Sequence, residues 1–147
     1  MSEIILCTIG FTRKSAGEFF SALERHAIKK IIDVRLNNSS QLAGFAKKGD
    51  LEFFLKRLCN CSYEHLPQWA PTREMLDAYK KKTLSWEDYE ARFNAILLER
   101  DIGASLRVND LAGACLLCSE ATPEHCHRRL VAEWARRRFP ALRIIHL

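Results

Sequence analysis

With 147 residues, the chain is long enough for one domain with a sizeable core. A composition of 48% hydrophobic and 28% charged residues is that of a globular protein and excludes a disordered or low-complexity chain. The formal net charge of +5 favours anionic partners such as nucleotides, nucleic acid or phosphorylated metabolites, although a surplus of this size is also ordinary in proteins that bind none of them.

No apolar run approaches the roughly 20 residues needed to span a bilayer, so no membrane partner is expected. Ile4-Ile5-Leu6 is too short for a signal peptide, and Glu3 precedes it. The six cysteines, Cys7, Cys59, Cys61, Cys115, Cys118 and Cys126, are therefore expected to be mostly free thiols in a reducing cytoplasm. Without a linker, an internal repeat or a low-complexity tract, residues 1–147 are expected to form a single domain.

Taken in order, Ile4 to Ile9 reads as a first strand that ends at Gly10. Ser15-Ala-Gly-Glu18 is a capping-box pattern, and Phe19, Phe20, Leu23 and Ala27 follow on one helical face. Lys30 to Val34 is a second buried strand, with Arg35 just beyond it. This strand–helix–strand spacing predicts a right-handed crossover and a parallel pair. Leu36 to Gly49 is a polar loop containing Asn37-Asn38-Ser39-Ser40. Asp50 is expected to cap a short helix with Leu51, Phe54, Leu55 and Leu58 inward, and Ser62 to Leu66 a third strand. Thr72 caps a helix carrying Met75, Leu76 and Tyr79, and Ser85 opens a longer one. Its stripe of Trp86, Tyr89, Phe93, Ile96 and Leu97 at helical spacing reads as core rather than as a base-stacking surface. Ala104 to Leu111 is read as one more helical turn, Ala114 to Cys118 as a fourth strand and Leu142 to His146 as a fifth.

The alternation predicts an α/β fold: one three-layer domain with a mostly parallel sheet of about five strands and helices on both faces. Ligands of such sheets sit beyond the carboxyl ends of the strands. Thr12 and Arg13 follow the first strand, Arg35 the second, His65 the third, and Cys118 to Arg128 the fourth.

That last stretch, ACLLCSEATPEHCHRR over residues 114–129, carries the densest chemistry. Thr122 suits an N-cap and Pro123 a first helical position, so the stretch reads as strand, tight polar loop and helix start. The helix amides and dipole, with Arg128 and Arg35, then favour a bound anion or a thiolate. The pattern Cys118-x-Glu120…Pro123-x-x-Cys126-His127-Arg128 resembles the signature of domain-of-unknown-function family 488. Thr8-Ile9-Gly10, Asp33-Val34-Arg35 and His65-Leu66-Pro67 resemble it as well. The resemblance extends over essentially the whole chain and implies a compact α/β domain whose activity is not established. The family's turn after the first Gly, often His-Ser-Thr, is Phe11-Thr12-Arg13 here, so no role for a His at that point carries over.

Four readings of Cys118 and Cys126 stay open on sequence: a catalytic thiolate, a redox pair, zinc ligands with His125 or His127, and plain core residues. Rhodanese-like and phosphatase-like domains place a Cys in a similar strand–loop–helix turn, and Ile32-Asp33-Val34-Arg35 is similar to a rhodanese segment, but the glycine-rich anion cradle of those domains is missing. The cysteine and histidine spacing fits no common zinc pattern, so neither a metal nor a cofactor is expected. Glu120 is a candidate general acid or base, or a salt-bridge partner. Arg35 is a phosphate clamp, or an ion-pair partner of Asp33 or Glu120. Position favours Cys118 over Cys126 as the more thiolate-like sulfur.

The leading expectation is an enzyme acting on a nucleotide, nucleic acid or other phosphorylated substrate. Cys118, Glu120, Cys126 and His127 are its catalytic candidates, Arg35, Arg128, Thr12 and Arg13 its anion-binding ones, and His65 a further pocket residue. The alternatives are a non-catalytic nucleic-acid-binding or regulatory module, drawing on the Arg136-Arg137-Arg138 cluster, and a thiol-based sulfur or redox carrier.

Overall fold

The computed structural model describes residues 3–38, 44–104 and 106–147. Ser39 and Ser40 of the expected loop, and Ser105 of the expected helical turn, lie outside the described residues. Five strands, β1 (Ile4–Gly10), β2 (Lys30–Asp33), β3 (Ser62–His65), β4 (Ala114–Cys118) and β5 (Leu142–His146), form one sheet in the order β3-β2-β4-β1-β5. Every pairing is parallel. The helices are α1 (Ala16–Arg25), α2 (Lys48–Cys59), α3 (Arg73–Lys80), α4 (Trp86–Arg100) and α5 (His127–Arg138).

Local sequence explains most helix starts. Ser15 Oγ accepts from the Glu18 amide at 3.1 Å while Glu18 Oε1 accepts from the Ser15 amide at 3.1 Å, a reciprocal capping box. Thr72 and Ser85 cap α3 and α4 through the amides of Met75 and Asp88. Two starts differ from expectation. Helix α2 begins at Lys48 with Lys47 at its N-cap, so Asp50 sits inside the first turn, where its carboxylate meets the helix dipole. Helix α5 begins at His127 with Cys126 at its N-cap, so Thr122 and Pro123 belong to the loop before it. The Cys126 amide donates to the Pro123 carbonyl at 3.2 Å, so Pro123 opens a turn instead of the helix. The stretch Ala104 to Leu111 holds a single 3-10 turn, Val108–Leu111.

Strand alternation sorts the core into two layers. Leu6, Ile32, Ala114, Leu116 and Cys118 point to the face covered by α3, α4 and α5, with Met75, Phe93, Leu97, Leu130 and Val131. Cys7, Ile9, Ile31, Cys115 and Leu117 point to the other face, under α1 and α2, with Phe19, Leu23, Leu51 and Leu55. The aromatic stripe of α4 is core at Tyr89 and Phe93, while Trp86 is half-buried. The period of two therefore sends Cys115 and Cys118 to opposite faces. Between the parallel strands β4 and β5, α5 must run back against the strand direction, which puts Arg136, Arg137 and Arg138 at the far end of the sheet from the β4 carboxyl terminus.

The exit of β1 is tight. A Cβ at Gly10 would lie 1.6 Å from the Glu120 carbonyl oxygen, so only glycine lets the loop after β4 cross there. Gly10→Ala is expected to cost about 1–3 kcal/mol of unfolding free energy in urea titration through forced displacement of that loop. Gly49→Ala, in α2 with open space around it, is expected to be neutral or to stabilise by up to about 1 kcal/mol.

Candidate functional site

A cavity of about 200 Å³ opens at the carboxyl ends of the three central strands. The end of β1 contributes Phe11, that of β2 contributes Arg35 with Leu36 and Asn37, and that of β4 contributes Cys118, Ser119 and Glu120. The loop and start of α5 add His125, Cys126 and His127, and α3 and α4 supply Leu76, Tyr79 and Tyr89 as an apolar wall.

Arg35 is almost fully buried, at 5% exposure. Its Nε donates to Asp33 Oδ1 at 2.9 Å, and one terminal nitrogen donates to Asp33 Oδ2 and the Ala46 carbonyl, both at 2.8 Å. Asp33 is braced in turn by the Tyr63 hydroxyl at 2.6 Å. The ion pair expected as one alternative is thus present, but it does not exhaust the guanidinium. The other terminal nitrogen is buried and has no hydrogen-bond partner among the described residues. A donor left unpaired in a low-dielectric site is costly.

Cys118, Cys126 and His127 converge. The His127 Nε2 donates to the Val34 carbonyl at 2.6 Å, which fixes the ring against the end of β2. The Cys118 sulfur lies 3.6 Å from His127 Nδ1 and 3.8 Å from Nε2. Near-equal distances put the sulfur beside the ring instead of in line with either nitrogen, so the contact is one of charge more than of a directed hydrogen bond. The Cys118 thiol is pushed well below its ordinary pKa. A hydrogen bond from the Cys126 thiol is the largest cause; burial opposes it, and the His127 charge and the Ser119 amide add to it. Burial likewise works against a charged His127, but the Cys118 charge overrides it and raises the ring's pKa. Cys126 is pushed well above its ordinary value, first by burial and then by the thiolate it donates to. The directions agree: negative charge is favoured on Cys118 over Cys126, with the proton favoured on His127 beside it.

The same trio offers two sulfurs and a ring nitrogen within 4.8 Å of one another, the donor types of a three-ligand zinc site. The aim of the ring does not fit one. A metal on Nδ1 would lie in front of that nitrogen, whereas Cys118 lies to the side, and Nε2 is occupied by Val34. As arranged, the trio is a charge cluster and not a formed metal centre.

Four other sequence candidates stand outside the cavity lining. Arg128 is fully buried: its Nε donates to Thr8 Oγ1 at 3.2 Å, and one terminal nitrogen donates to the Glu120 carbonyl at 2.6 Å and contacts the Cys126 sulfur at 3.6 Å. It braces the loop instead of facing a ligand. Thr12 and Arg13 are exposed beyond the turn, with Arg13 at φ 64°, and the buried strand-end residue is Phe11. His65 donates from Nε2 to the Arg35 carbonyl at 2.7 Å and so holds Arg35 from behind. Glu120 reaches the rim as an exposed carboxylate.

Sequence reasoning missed Phe11, Asn37, Leu76, Tyr79 and Tyr89 as cavity wall. Phe11 was within reach of the strand-end rule, since it directly follows Gly10. Tyr79 and Tyr89 carried only the signal of helical core spacing.

Fold and site together define a parallel α/β domain with a strand-end cavity built around a cysteine–histidine contact and a buried guanidinium. The family model described as Domain of unknown function DUF488 matches residues 15–135, and the chain belongs to that family. No curated protein and no solved structure shows significant similarity to it.

Alkylation tests the charge assignment. Cys118 should react with iodoacetamide faster than Cys126, and its rate should level off at a lower pH than that of an ordinary thiol, which still gains rate through about pH 8.5. His127→Asn removes the positive neighbour, so the Cys118 titration should move up in pH and its rate at neutrality fall.

Proposed function

We propose that the chain is an enzyme that uses the Cys118 thiolate as a covalent nucleophile on a small phosphorylated substrate, a nucleotide or a phosphorylated nucleic-acid end among the candidates. The observation that carries this reading is that Arg35, whose guanidinium keeps one nitrogen without a partner among the described residues, lines the same cavity as Cys118. A phosphoryl group held at that guanidinium edge brings its electrophilic phosphorus toward the sulfur. Attack forms an S–P bond and breaks the P–O bond to the leaving group, which takes a proton from solvent. His127 balances the sulfur's charge before attack and again when it is released. The Glu120 carboxylate at the rim is the candidate base for the water that cleaves the S–P bond and returns the thiolate.

A reducing cytoplasm fits this chemistry, which needs a free Cys118. That no helix is long and apolar enough to cross a membrane agrees with a partner that is not a membrane. Nucleic-acid binding through the exposed Arg136, Arg137 and Arg138 would be a separate, surface property, at the other end of the sheet.

A panel of phosphomonoesters, phosphodiesters and nucleotides tests the reading. Turnover is expected on at least one class, and Cys118→Ser should lower it by about 10³-fold or more with the fold retained by circular dichroism. Arg35→Lys should raise KM about tenfold or more, since a charge-assisted hydrogen bond of about 1.5–3 kcal/mol is lost or misaimed. Absence of turnover across the panel, or full activity of Cys118→Ser, overturns the proposal. Reversing the charges of Arg136, Arg137 and Arg138 to Glu should leave turnover on small substrates unchanged and abolish any salt-sensitive nucleic-acid binding.

A further inference from the structure

Arg128 poses a question that the nucleophile alone does not answer. Its side chain is wholly buried, yet the partners it reaches are neutral: a threonine hydroxyl, a peptide carbonyl and the sulfur of Cys126. No carboxylate pairs with it among the described residues. Its second terminal nitrogen is buried with no hydrogen-bond partner among the described residues. A buried cation needs a counter-charge. The exposed Glu124 carboxylate feels its charge without pairing with it, and the ionisable group it touches is Cys126.

We propose, resting on the reading of Cys118 as a nucleophile, that Cys126 is a second working thiol that resolves sulfur adducts formed on Cys118, which gives the site dithiol–disulfide exchange activity toward small disulfides. The Cys118 thiolate attacks one sulfur of a disulfide RSSR, the S–S bond breaks, and one RS⁻ leaves and takes a proton from solvent. The product is a mixed disulfide, Cys118–S–S–R. Cys118 then carries no charge, so of the two causes that hold Cys126 protonated only burial remains, while the Arg128 guanidinium stays 3.6 Å from the Cys126 sulfur and favours its thiolate. Cys126 loses its proton to solvent and attacks the Cys118 sulfur. The second RS⁻ leaves, and a Cys118–Cys126 disulfide closes. The substrate gains two electrons and the protein loses two; a thiol in excess reverses both steps.

The geometry suits this order. Both sulfurs lie within 4.8 Å of each other and of the His127 ring. Cys118 ends a strand buried on both faces, whereas Cys126 is the N-cap of α5 at the end of the loop over residues 119–125. That loop is partly exposed, so the remaining approach to bonding distance can be made there without disturbing the sheet. Arg128, which also holds the Glu120 carbonyl, ties the loop to the resolving sulfur.

The test is to mix the reduced full chain with 2-hydroxyethyl disulfide and follow intact mass, peptide maps and released mercaptoethanol. The wild type should lose two hydrogens, release two mercaptoethanol molecules per chain and yield a peptide joining Cys118 to Cys126. Cys126→Ser, or Cys126→Ala if the serine variant fails to fold, should stall with one mercaptoethanol on Cys118 and one released. Arg128→Lys should slow release of the second mercaptoethanol more than tenfold relative to the first. A wild-type chain that stalls as a stable Cys118 adduct overturns the resolving role and leaves the nucleophile standing. A Cys118 that never reacts, in a chain whose other thiols do, overturns both readings. A disulfide joining any other pair also overturns the proposal.

Discussion

A single buried guanidinium holds the site in register. Arg128, on the first turn of α5, reaches the middle of β1 at Thr8, the carbonyl of Glu120 in the loop and the sulfur of Cys126 at the helix N-cap. Because the Arg128 Nε–H donates to the Thr8 hydroxyl, that hydroxyl is left to donate its own hydrogen to His146 Nδ1 at 2.6 Å, and β5 joins the same network. Gly10 completes the fit by letting the Glu120 carbonyl pass against β1. Remove the guanidinium, and the Glu120 carbonyl loses this donor while the Thr8 hydroxyl keeps only His146. The loop that carries Glu120 would then be tied to the end of β1 through the Thr12 amide on the Ser119 carbonyl.

The overall architecture was readable because each of its signals is local. Three helix starts are written in Ser15, Thr72 and Ser85, whose side chains take an amide of the first turn. The buried strands show as short apolar runs. From these follow the parallel sheet and the gathering of Cys118, Glu120, Cys126, His127 and Arg35 at the strand ends. What failed was the interpretation of cap residues in a loop. Thr122-Pro123 has the chemistry of a helix start, but the chain makes a separate turn first and begins the helix at Cys126-His127. No residue preference marks a cysteine as an N-cap. Arg128 is a related case: a sequence shows that a cation is near the loop, but not whether its donors face solvent or the interior. Thr12 and Arg13 were placed one step too far along, past the point where Phe11 turns inward.

Charge in the site is arranged in two separate circuits. Asp33 neutralises Arg35 from beneath, braced by Tyr63, so one guanidinium edge is anchored while one terminal nitrogen has no partner among the described residues. His127 is pinned to Val34 and faces Cys118, and Arg128 lies behind Cys126. The arrangement separates a carboxylate-paired guanidinium from a sulfur–imidazole contact within one small cavity. It also accounts for the opposite pKa directions of two adjacent cysteines: a single negative charge is shared by hydrogen bond, and His127 decides which sulfur keeps it.

The stability of the fold gives no reason for this cluster. Each face of the sheet already has a continuous apolar layer, with Phe93, Leu97 and Leu116 on one side and Phe19, Leu23 and Leu51 on the other. Desolvating Arg35, Arg128 and a thiolate–imidazolium pair costs several kcal/mol for each ion before any attraction is recovered, and replacing buried ion pairs by well-packed apolar groups is often neutral or stabilising. Of the four readings open for the motif cysteines, plain core packing therefore explains Cys115, which faces the α1 and α2 layer. Cys118 and Cys126 also lie in an apolar layer, under α3, α4 and α5, yet each touches a basic side chain: Cys118 the His127 ring and Cys126 the Arg128 guanidinium. Packing alone does not call for those two neighbours, and the electrostatic cost of the domain collects around them, at the wall of the strand-end cavity.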